Sequence, residues 1–171
     1  MKKGDLKNSI RDVPDFPKQG IIFKDITTLL SNKDAIKKSI DLLASKFKKS
    51  NIEQVVAVES RGFIFGAALA YKLKAGFVPV RKKGKLPSKT KSITYSLEYG
   101  TDTLEIHEDA IKPNTRVLVV DDLLATGGTI SAVTELLKGQ QANIIGIAFL
   151  VELRFLKGKE KLKDFPLYSV I

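Results

Sequence analysis

Residues 117–129 join the pattern of a buried strand to two carboxylates and two glycines. Residues 117–120 read Val-Leu-Val-Val, a continuous apolar run that is typical of a strand covered on both faces. Asp121 and Asp122 follow at its carboxyl end, and an apolar helical pattern opens at Thr129. In an open parallel sheet, ligands bind outside the carboxyl ends of the strands. The segment therefore predicts a strand–loop–helix unit with a ligand site at the loop.

The chemistry of this loop indicates a phosphate ligand. Gly127 and Gly128 allow a sharp turn and bring backbone N–H groups close to a ligand. Thr126 and Thr129 add hydroxyl donors, and the next helix adds the partial positive charge of its amino end. No Gly-Lys-Ser/Thr follows and no G-x-G-x-x-G is present, so neither a Walker loop nor a dinucleotide fingerprint is indicated.

Two carboxylates beside a phosphate site need neutral or cationic partners. Asp121 and Asp122 would repel a phosphate that they faced. They suit hydroxyl groups that donate hydrogen bonds, or a hydrated divalent cation held through water. A ribose 5-phosphate unit offers a phosphate at one end and two vicinal hydroxyls at the other. The alternative interpretation is a solvated Asp-Asp turn that ends a strand.

A second candidate site has the same topology. Glu59, Ser60 and Arg61 follow an apolar strand pattern at 55–58 and open a helix. Backbone N–H groups at that turn and the Arg61 guanidinium are suited to one end of a pyrophosphate. The alternative is a helix capped by Ser60, with Arg61 on the surface.

Charge and composition narrow the function classes. The formal net charge is +10, but most lysines are scattered along helical faces, as expected for solvated surfaces. The informative cluster is Arg81, Lys82, Lys83 and Lys85, because several cations on one loop match a compact polyanion. Cysteine is absent, which excludes thiolate chemistry. The single histidine, His107, lies in an alternating pattern and is expected to face solvent.

Strand and helix patterns alternate through the middle of the chain, which predicts an α/β fold: a central, mostly parallel sheet with helices on both faces. A single domain over 1–171 is expected, with a mobile loop over 81–104 that has partial hairpin character. No apolar run approaches the ~20 residues needed to cross a bilayer, and no signal peptide is visible, so a cytoplasmic location is expected. The predicted helices cover 34–49, 63–73 and the stretch from 130, and the predicted strands 21–23, 55–58, 77–80, 104–107, 117–120, 143–151 and 167–171.

The segment 117–129 resembles the phosphoribosyl pyrophosphate (PRPP) motif of type I phosphoribosyltransferases. The whole chain resembles the members of that family that act on adenine, because further matching pieces occur in family order from one terminus to the other. These pieces are Asp15-Phe16-Pro17, Gly20 to Ile26, Glu59 to Phe63, Arg81 to Pro87, Tyr95 to Gly100 and Val151-Glu152-Leu153.

The resemblance implies a reaction and a set of roles. A base nitrogen displaces pyrophosphate from C1 of the ribose, and Mg²⁺ neutralises the leaving group. The fold would include an N-terminal hood over 1–30 and the mobile loop, and a homodimer is implied. Glu98 would take the N9 proton or stabilise the cationic sugar. The alternative for Glu98 is a solvated residue on an ordinary strand. The 5′-phosphate would be bound by Ala125, Thr126, Gly127, Gly128 and Thr129. The ribose hydroxyls would be bound by Asp121 and Asp122, and the pyrophosphate by Ser60, Arg61, Arg81, Lys82 and Lys85. No side chain is a certain direct ligand of Mg²⁺, although both aspartates are candidates through water.

The identity of the substrate base is indicated by a carboxylate that the motif lacks. Relatives that act on hypoxanthine and guanine usually carry Asp three positions after the second acid, where this chain has Ala125. The segment 21–24 resembles the adenine-binding hood, in which Phe23 would stack on the base, with Ile22 and Lys24 adding backbone contacts and packing. Lys24 departs from the usual Arg, and a lysine lacks the planar guanidinium.

Two other functions remain open at this stage. One is a PRPP-sensing regulator that binds nucleic acid, although no extra domain accompanies the motif and the segment 95–100 is retained. The other is an enzyme of the same fold that acts on another base, such as xanthine or orotate. The preferred expectation is adenine and PRPP as substrates, with no nucleic-acid or membrane partner.

Overall fold

The computed structural model describes residues 3–96 and 100–171. The helices are α1 (Lys3–Lys7), α2 (Thr27–Leu30), α3 (Lys33–Phe47), α4 (Arg61–Leu73) and α5 (Gly128–Lys138), with 3₁₀ turns at Arg154–Leu156 and Gly158–Leu162. The strands are β1 (Arg11–Pro14), β2 (Ile22–Asp25), β3 (Gln54–Val58), β4 (Gly76–Lys82), β5 (Thr90–Ser96), β6 (Thr101–His107), β7 (Arg116–Leu124), β8 (Asn143–Glu152) and β9 (Leu167–Ser169). Glu98 lies outside the described residues.

In the part of the chain that the structure describes, one seven-stranded sheet has the order β5-β6-β4-β3-β7-β8-β9. Strands β4, β3, β7, β8 and β9 are parallel, whereas β5 and β6 join one edge antiparallel. Strands β1 and β2 form a separate antiparallel pair, which is the hood. The predicted α/β class with a mostly parallel sheet is confirmed.

Successive side chains of a strand point to opposite faces of the sheet, so the sheet has one hydrophobic core on each face. Val55 and Ala57 of β3 face a core with α3 and α4, whereas Val56 and Val58 face a core with α5. All four residues are buried, which explains why the strand reads as apolar throughout. Helices therefore cover both faces, as the alternating pattern predicted.

Strand β7 is longer than the sequence pattern predicted. The strand was expected to end at Val120, but pairing with β8 continues through Asp121↔Phe149 to Leu124↔Glu152. The expectation was wrong because β8 is long enough to supply backbone partners beyond the apolar run. The two aspartates consequently lie within a hydrogen-bonded strand, which fixes their direction more firmly than a loop would.

The connection after β4 contains a regular hairpin. Strand β5 pairs with β6 from Thr90↔His107 to Ser96↔Thr101. The hairpin character expected of this region is confirmed, and its mobility stays a prediction. No helix of the described residues is both long enough and apolar enough to span a bilayer.

The expectation that His107 faces solvent was wrong, because this part of β6 is covered. Glu105 is buried and accepts a hydrogen bond from the Gly84 N–H at 2.9 Å. His107 is half-buried, and its Nε2 is enclosed without a hydrogen-bond partner among the described residues. The turn after α5 covers this end of β6, where the Gln140 amide donates to the His107 carbonyl at 2.9 Å.

Helix α4 lies so close to the sheet that Gly66 has no room for a side chain. A Cβ on Gly66 would stand 2.4 Å from the Ala57 Cβ on β3 and 3.0 Å from the ring of Phe77. We expect Gly66→Ala to lower the free energy of unfolding by about 1–3 kcal/mol, because overpacking outweighs the gain in helix propensity of up to about 1 kcal/mol. Urea unfolding measures the change.

Gly76→Ala is the control for this substitution. Its added Cβ would meet nothing closer than 3.6 Å, so the unfolding free energy should stay within about 0.5 kcal/mol of the parent. A Gly66→Ala protein as stable as the parent would show that α4 does not approach β3 this closely.

Candidate active site

A cleft of about 380 Å³ opens at the carboxyl ends of β3 and β7. This is the edge where ligands of open parallel sheets bind. Its lining is made of Val58, Glu59, Ser60, Arg61, Lys82, Tyr95, Asp102, Leu104, Asp121, Asp122 and Thr129. Six of the predicted site residues therefore share one cleft: Ser60, Arg61, Lys82, Asp121, Asp122 and Thr129.

The predicted phosphate loop connects β7 to α5. Gly127 has φ of 79°, in the left-handed region that glycine adopts without steric cost, and Gly128 is the first residue of α5. The first turn of a helix leaves N–H groups without intrahelical partners and carries partial positive charge. Thr129 lines the cleft at this turn. The loop is thus built as a site for an anionic group.

A second segment, at Gly158, packs directly against this loop and braces it. The sequence interpretation did not predict this contact. A Cβ on Gly158 would lie 2.2 Å from the Ala125 carbonyl oxygen and 3.1 Å from the Gly127 nitrogen. A Cβ on Gly127 would in turn lie 2.6 Å from the Gly158 carbonyl oxygen. Two backbones are therefore in direct contact. Gly158 sits in a lysine-rich stretch with no recognisable pattern, so the only available signal was the glycine itself.

The two aspartates line the cleft with little exposure to solvent. The Asp122 side chain is only 5% exposed, and its Oδ2 lies 3.0 Å from the Nε of Arg61. Asp121 Oδ1 accepts a hydrogen bond from the Asp122 N–H at 2.9 Å. A Cβ on Gly62 would stand 2.8 Å from Asp121 Oδ1, so only glycine lets α4 begin this close to β7. The predicted alternative of a solvated Asp-Asp turn was wrong.

Burial sets the proton affinity of this pair. It raises the pKa of the Asp121 carboxyl well above its usual range, and the neighbouring Asp122 charge adds to the rise. Burial also raises the pKa of the Asp122 carboxyl, which the Arg61 guanidinium opposes. Asp122 Oδ2 has no hydrogen-bond partner among the described residues. A buried acceptor of this kind is suited to a ligand hydroxyl or to a water on a hydrated cation.

The turn between β3 and α4 presents Ser60 and Arg61 to the cleft. The Glu59–Ser60 peptide bond is cis. Ser60 is exposed and its side chain makes no capping hydrogen bond, so the alternative of a Ser60-capped helix was wrong. The Arg61 guanidinium bridges two parts of the site, because it pairs with Asp122 and lies 5.4 Å from the centre of the Phe23 ring.

The predicted basic loop begins within a strand, because Arg81 and Lys82 are the last residues of β4, and acidic side chains hold it in place. Glu59 accepts two bonds from Arg81, at 2.8 and 3.1 Å, and this pairing lowers the pKa of the Glu59 carboxyl and raises that of Arg81. Arg81 also donates to the Lys85 carbonyl at 2.9 Å. Lys82 Nζ lies 3.1 Å from Asp102 Oδ2 in the cleft. Arg81 and Lys85 do not line the cleft. Glu59 was placed in the second candidate site without a role of its own, and Asp102 was missed because a lone acid carries no motif.

The hood presents an apolar surface. Ile22 is 57% exposed, and Phe23 packs edge-on against Phe16 with ring centres 5.2 Å apart. Lys24 Nζ lies 2.5 Å from Asp12 Oδ1 on the neighbouring strand. The Lys24 ammonium is therefore occupied by Asp12, and the Phe23 ring is the hood group that contacts the cleft, through Arg61.

The described residues contain no direct protein cage for a metal. No group of three or more His, Cys, Asp or Glu side chains in residues 3–96 and 100–171 is arranged to hold an ion. The chemistry of Asp121 and Asp122 fits a hydrated divalent cation, which usually keeps several waters and few carboxylate ligands. A Mg²⁺ would be held here through water and the ligand.

Comparison with known proteins identifies the class to which this fold and site belong. Residues 25–171 match the phosphoribosyl transferase domain, and the chain belongs to this family. Adenine phosphoribosyltransferase of Pelobacter propionicus is 59% identical over 167 residues, which cover 98% of this chain and 97% of that one.

Solved structures agree with this assignment. The chain is 50% identical to the adenine phosphoribosyltransferase of Thermoanaerobacter pseudethanolicus, with a TM-score of 0.96 over 99% of both chains. It is 41% identical to the Saccharomyces cerevisiae enzyme complexed with an imino-altritol bisphosphate and adenine, with a TM-score of 0.93 over 99% of this chain and 98% of that one.

The brace at Gly158 generates a prediction about anion binding. We expect Gly158→Ala to displace residues 125–127 and to weaken binding of ribose 5-phosphate about 5- to 100-fold, since overpacking costs about 1–3 kcal/mol. Isothermal titration calorimetry measures the dissociation constant.

Gly146→Ala provides a matched steric defect at the opposite end of the sheet. Its Cβ would meet the Phe47 ring at 2.9 Å and the Pro166 carbonyl oxygen at 3.2 Å. This variant should lose stability but keep its affinity for ribose 5-phosphate. Equal affinities in Gly158→Ala and the parent would show that the brace does not position the loop.

Proposed function

We propose that the chain transfers the 5-phosphoribosyl group from PRPP to N9 of adenine, giving AMP and pyrophosphate. The observation that carries this proposal is one cleft that joins the phosphate loop, the buried aspartates and the Glu59–Arg61 turn. The family match and the near full-length relatives that act on adenine support the same reaction. Adenine phosphoribosyltransferase activity, a step of purine salvage, is the function of this site.

The donor would lie along the carboxyl edge of the sheet. The 5′-phosphate binds to Ala125, Thr126, Gly127, Gly128 and Thr129, where N–H groups and hydroxyls converge. Asp121 and Asp122 accept hydrogen bonds from the ribose hydroxyls, and Asp122 Oδ2, which is ion-paired with Arg61 but accepts no hydrogen bond from the described residues, supports this role. The pyrophosphate lies against Ser60, Arg61 and Lys82, which line the other side of the cleft.

Arg81 and Lys85 take a supporting part in this arrangement. Because Arg81 binds both Glu59 and the Lys85 carbonyl, it holds the basic loop against the Glu59–Arg61 turn. Neither Arg81 nor Lys85 lines the cleft, and the Arg81 guanidinium is turned to Glu59 by two hydrogen bonds. We assign the first contact to Arg61 and Lys82.

Magnesium supplies charge neutralisation of the pyrophosphate leaving group when it is bound. Asp121 and Asp122 would hold it through water, since their oxygens are hard ligands within the cleft. The protein groups bind and orient the donor and keep water from its C1 carbon, because water would hydrolyse it.

Adenine would bind between the hood and the sheet edge. Phe23 offers an aromatic face for stacking, and Ile22 and Lys24 offer backbone groups and packing. Ala125 places no carboxylate where a 6-oxopurine would need one. Glu98 would accept the N9 proton or stabilise the cationic sugar.

We also propose a cytoplasmic homodimer. Ile64 and Tyr71, seven residues apart on α4, are 40% and 87% exposed, and an exposed apolar surface of this kind is suited to a subunit contact.

The choice of base is tested directly by turnover. With PRPP and Mg²⁺ present, we expect kcat/KM for adenine to exceed that for hypoxanthine, guanine, xanthine and orotate, because Ala125 leaves no acid near N7 of a 6-oxopurine. Competition among these bases in one assay of PRPP consumption measures the order. Faster turnover of hypoxanthine than of adenine would make the base assignment wrong.

The role of Glu98 predicts a selective loss of turnover. Glu98→Gln keeps the size of the side chain but cannot accept a proton, so kcat should fall about 10²–10⁴-fold with little rise in KM. Glu108→Gln is the control, because Glu108 is exposed in the turn after β6 and should retain parent kinetics. Near-parent kcat in Glu98→Gln would contradict the assigned role.

A further inference from the structure

One hydrogen bond joins the β5–β6 hairpin to the phosphate loop. The Tyr95 hydroxyl on β5 lies 3.3 Å from Thr129 Oγ1 in the first turn of α5. At the adjoining positions the backbones also approach, since a Cβ on Gly128 would stand 3.7 Å from the Ser96 carbonyl oxygen. These contacts are the link between the hairpin edge of the cleft and its phosphate-binding end.

The two faces of β5 have different surroundings. Ile93 and Tyr95 point inward and pack on the core that α5 helps to form. Thr94 points outward, where its hydroxyl bonds to the Thr103 hydroxyl at 2.9 Å. Burial raises the pKa of the Tyr95 hydroxyl above its ordinary value, so this group keeps its proton at neutral pH. Tyr95 is therefore available as a hydrogen-bond donor to Thr129.

Donor and acceptor counting gives this bond a direction when a phosphate is present. A threonine hydroxyl has one proton and accepts through its lone pairs. If the Thr129 proton is donated to an anionic phosphate oxygen, its oxygen accepts from Tyr95. The Tyr95 donation polarises the Thr129 O–H group and strengthens the bond to the phosphate, because consecutive hydrogen bonds reinforce one another.

We propose that Tyr95 is a positioning residue for the 5′-phosphate, acting through Thr129. It orients the Thr129 hydroxyl toward the phosphate and fixes the hairpin edge of the cleft against the phosphate loop. Tyr95 itself does not touch the phosphate. This inference rests on the proposed function, which places the 5′-phosphate of PRPP at Thr129, and it adds a residue of the hairpin to that subsite.

The test uses Tyr95→Phe, which removes the hydroxyl and keeps the ring. We expect the dissociation constant of ribose 5-phosphate to rise about 3- to 10-fold, as for the loss of one hydrogen bond. The dissociation constant of inorganic pyrophosphate should not change, because that ligand binds at the Glu59–Arg61 turn. Thr94→Val removes a hydroxyl pair from the outer face of the same strand and should leave both constants at parent values.

A double-mutant cycle separates action through Thr129 from general damage. Tyr95→Phe should have no further effect on ribose 5-phosphate affinity in a Thr129→Val background, and its full effect should remain in Thr129→Ser. Additive effects of Tyr95→Phe and Thr129→Val, or equal weakening of both ligands by Tyr95→Phe, would overturn the proposal. The two proposals fail differently: a parent that binds no ribose 5-phosphate contradicts the proposed function, whereas a parent that binds it and a Tyr95→Phe variant of equal affinity contradict the role of Tyr95 alone.

Discussion

The site depends on the parallel pairing of β7 with a neighbour on each side. Strand β3 holds it through Gln54↔Val117 to Ala57↔Val120, and β8 continues the pairing to Leu124. Because the strand is hydrogen-bonded beyond its apolar run, it delivers two aspartates and the start of the phosphate loop as rigid parts. Burial of charged groups is costly, and the β8 pairing stabilises the backbone that carries them.

The chain as a whole is basic, whereas the lining of its cleft has more acidic than basic side chains. The protein carries a formal +10, yet among the described residues the cleft lining contains four carboxylates, Glu59, Asp102, Asp121 and Asp122, and only two cations, Arg61 and Lys82. Both cations are already paired with carboxylates of the lining. An excess of acid where a pyrophosphate is proposed to bind favours a donor that arrives with a divalent cation. The positive surface elsewhere is a matter of solubility and long-range attraction.

Sequence patterns predicted the frame of the fold because buried parallel strands are apolar throughout and helices repeat at 3.6 residues. The same patterns misplaced the end of β7 and the surroundings of His107, since both depend on which element pairs or packs nearby. Six of the predicted site residues share the cleft because motifs follow strand ends. The brace at Gly158 and the partners Glu59 and Asp102 depend on contacts between distant segments, which no local spacing encodes.

The hood shows how the lysine at position 24 is accommodated. Two cross-strand ion pairs join β1 to β2. In one, Arg11 of β1 pairs with Asp25 of β2, and in the other, Lys24 of β2 pairs with Asp12 of β1. Asp25 accepts two bonds from one guanidinium, which requires arginine, whereas the Lys24–Asp12 pair is a single contact that an ammonium can make. Since Asp12 holds the Lys24 side chain, only the backbone of Lys24 remains for a base. In the proposed adenine site, recognition at this position then depends on backbone geometry, which a change from arginine to lysine preserves.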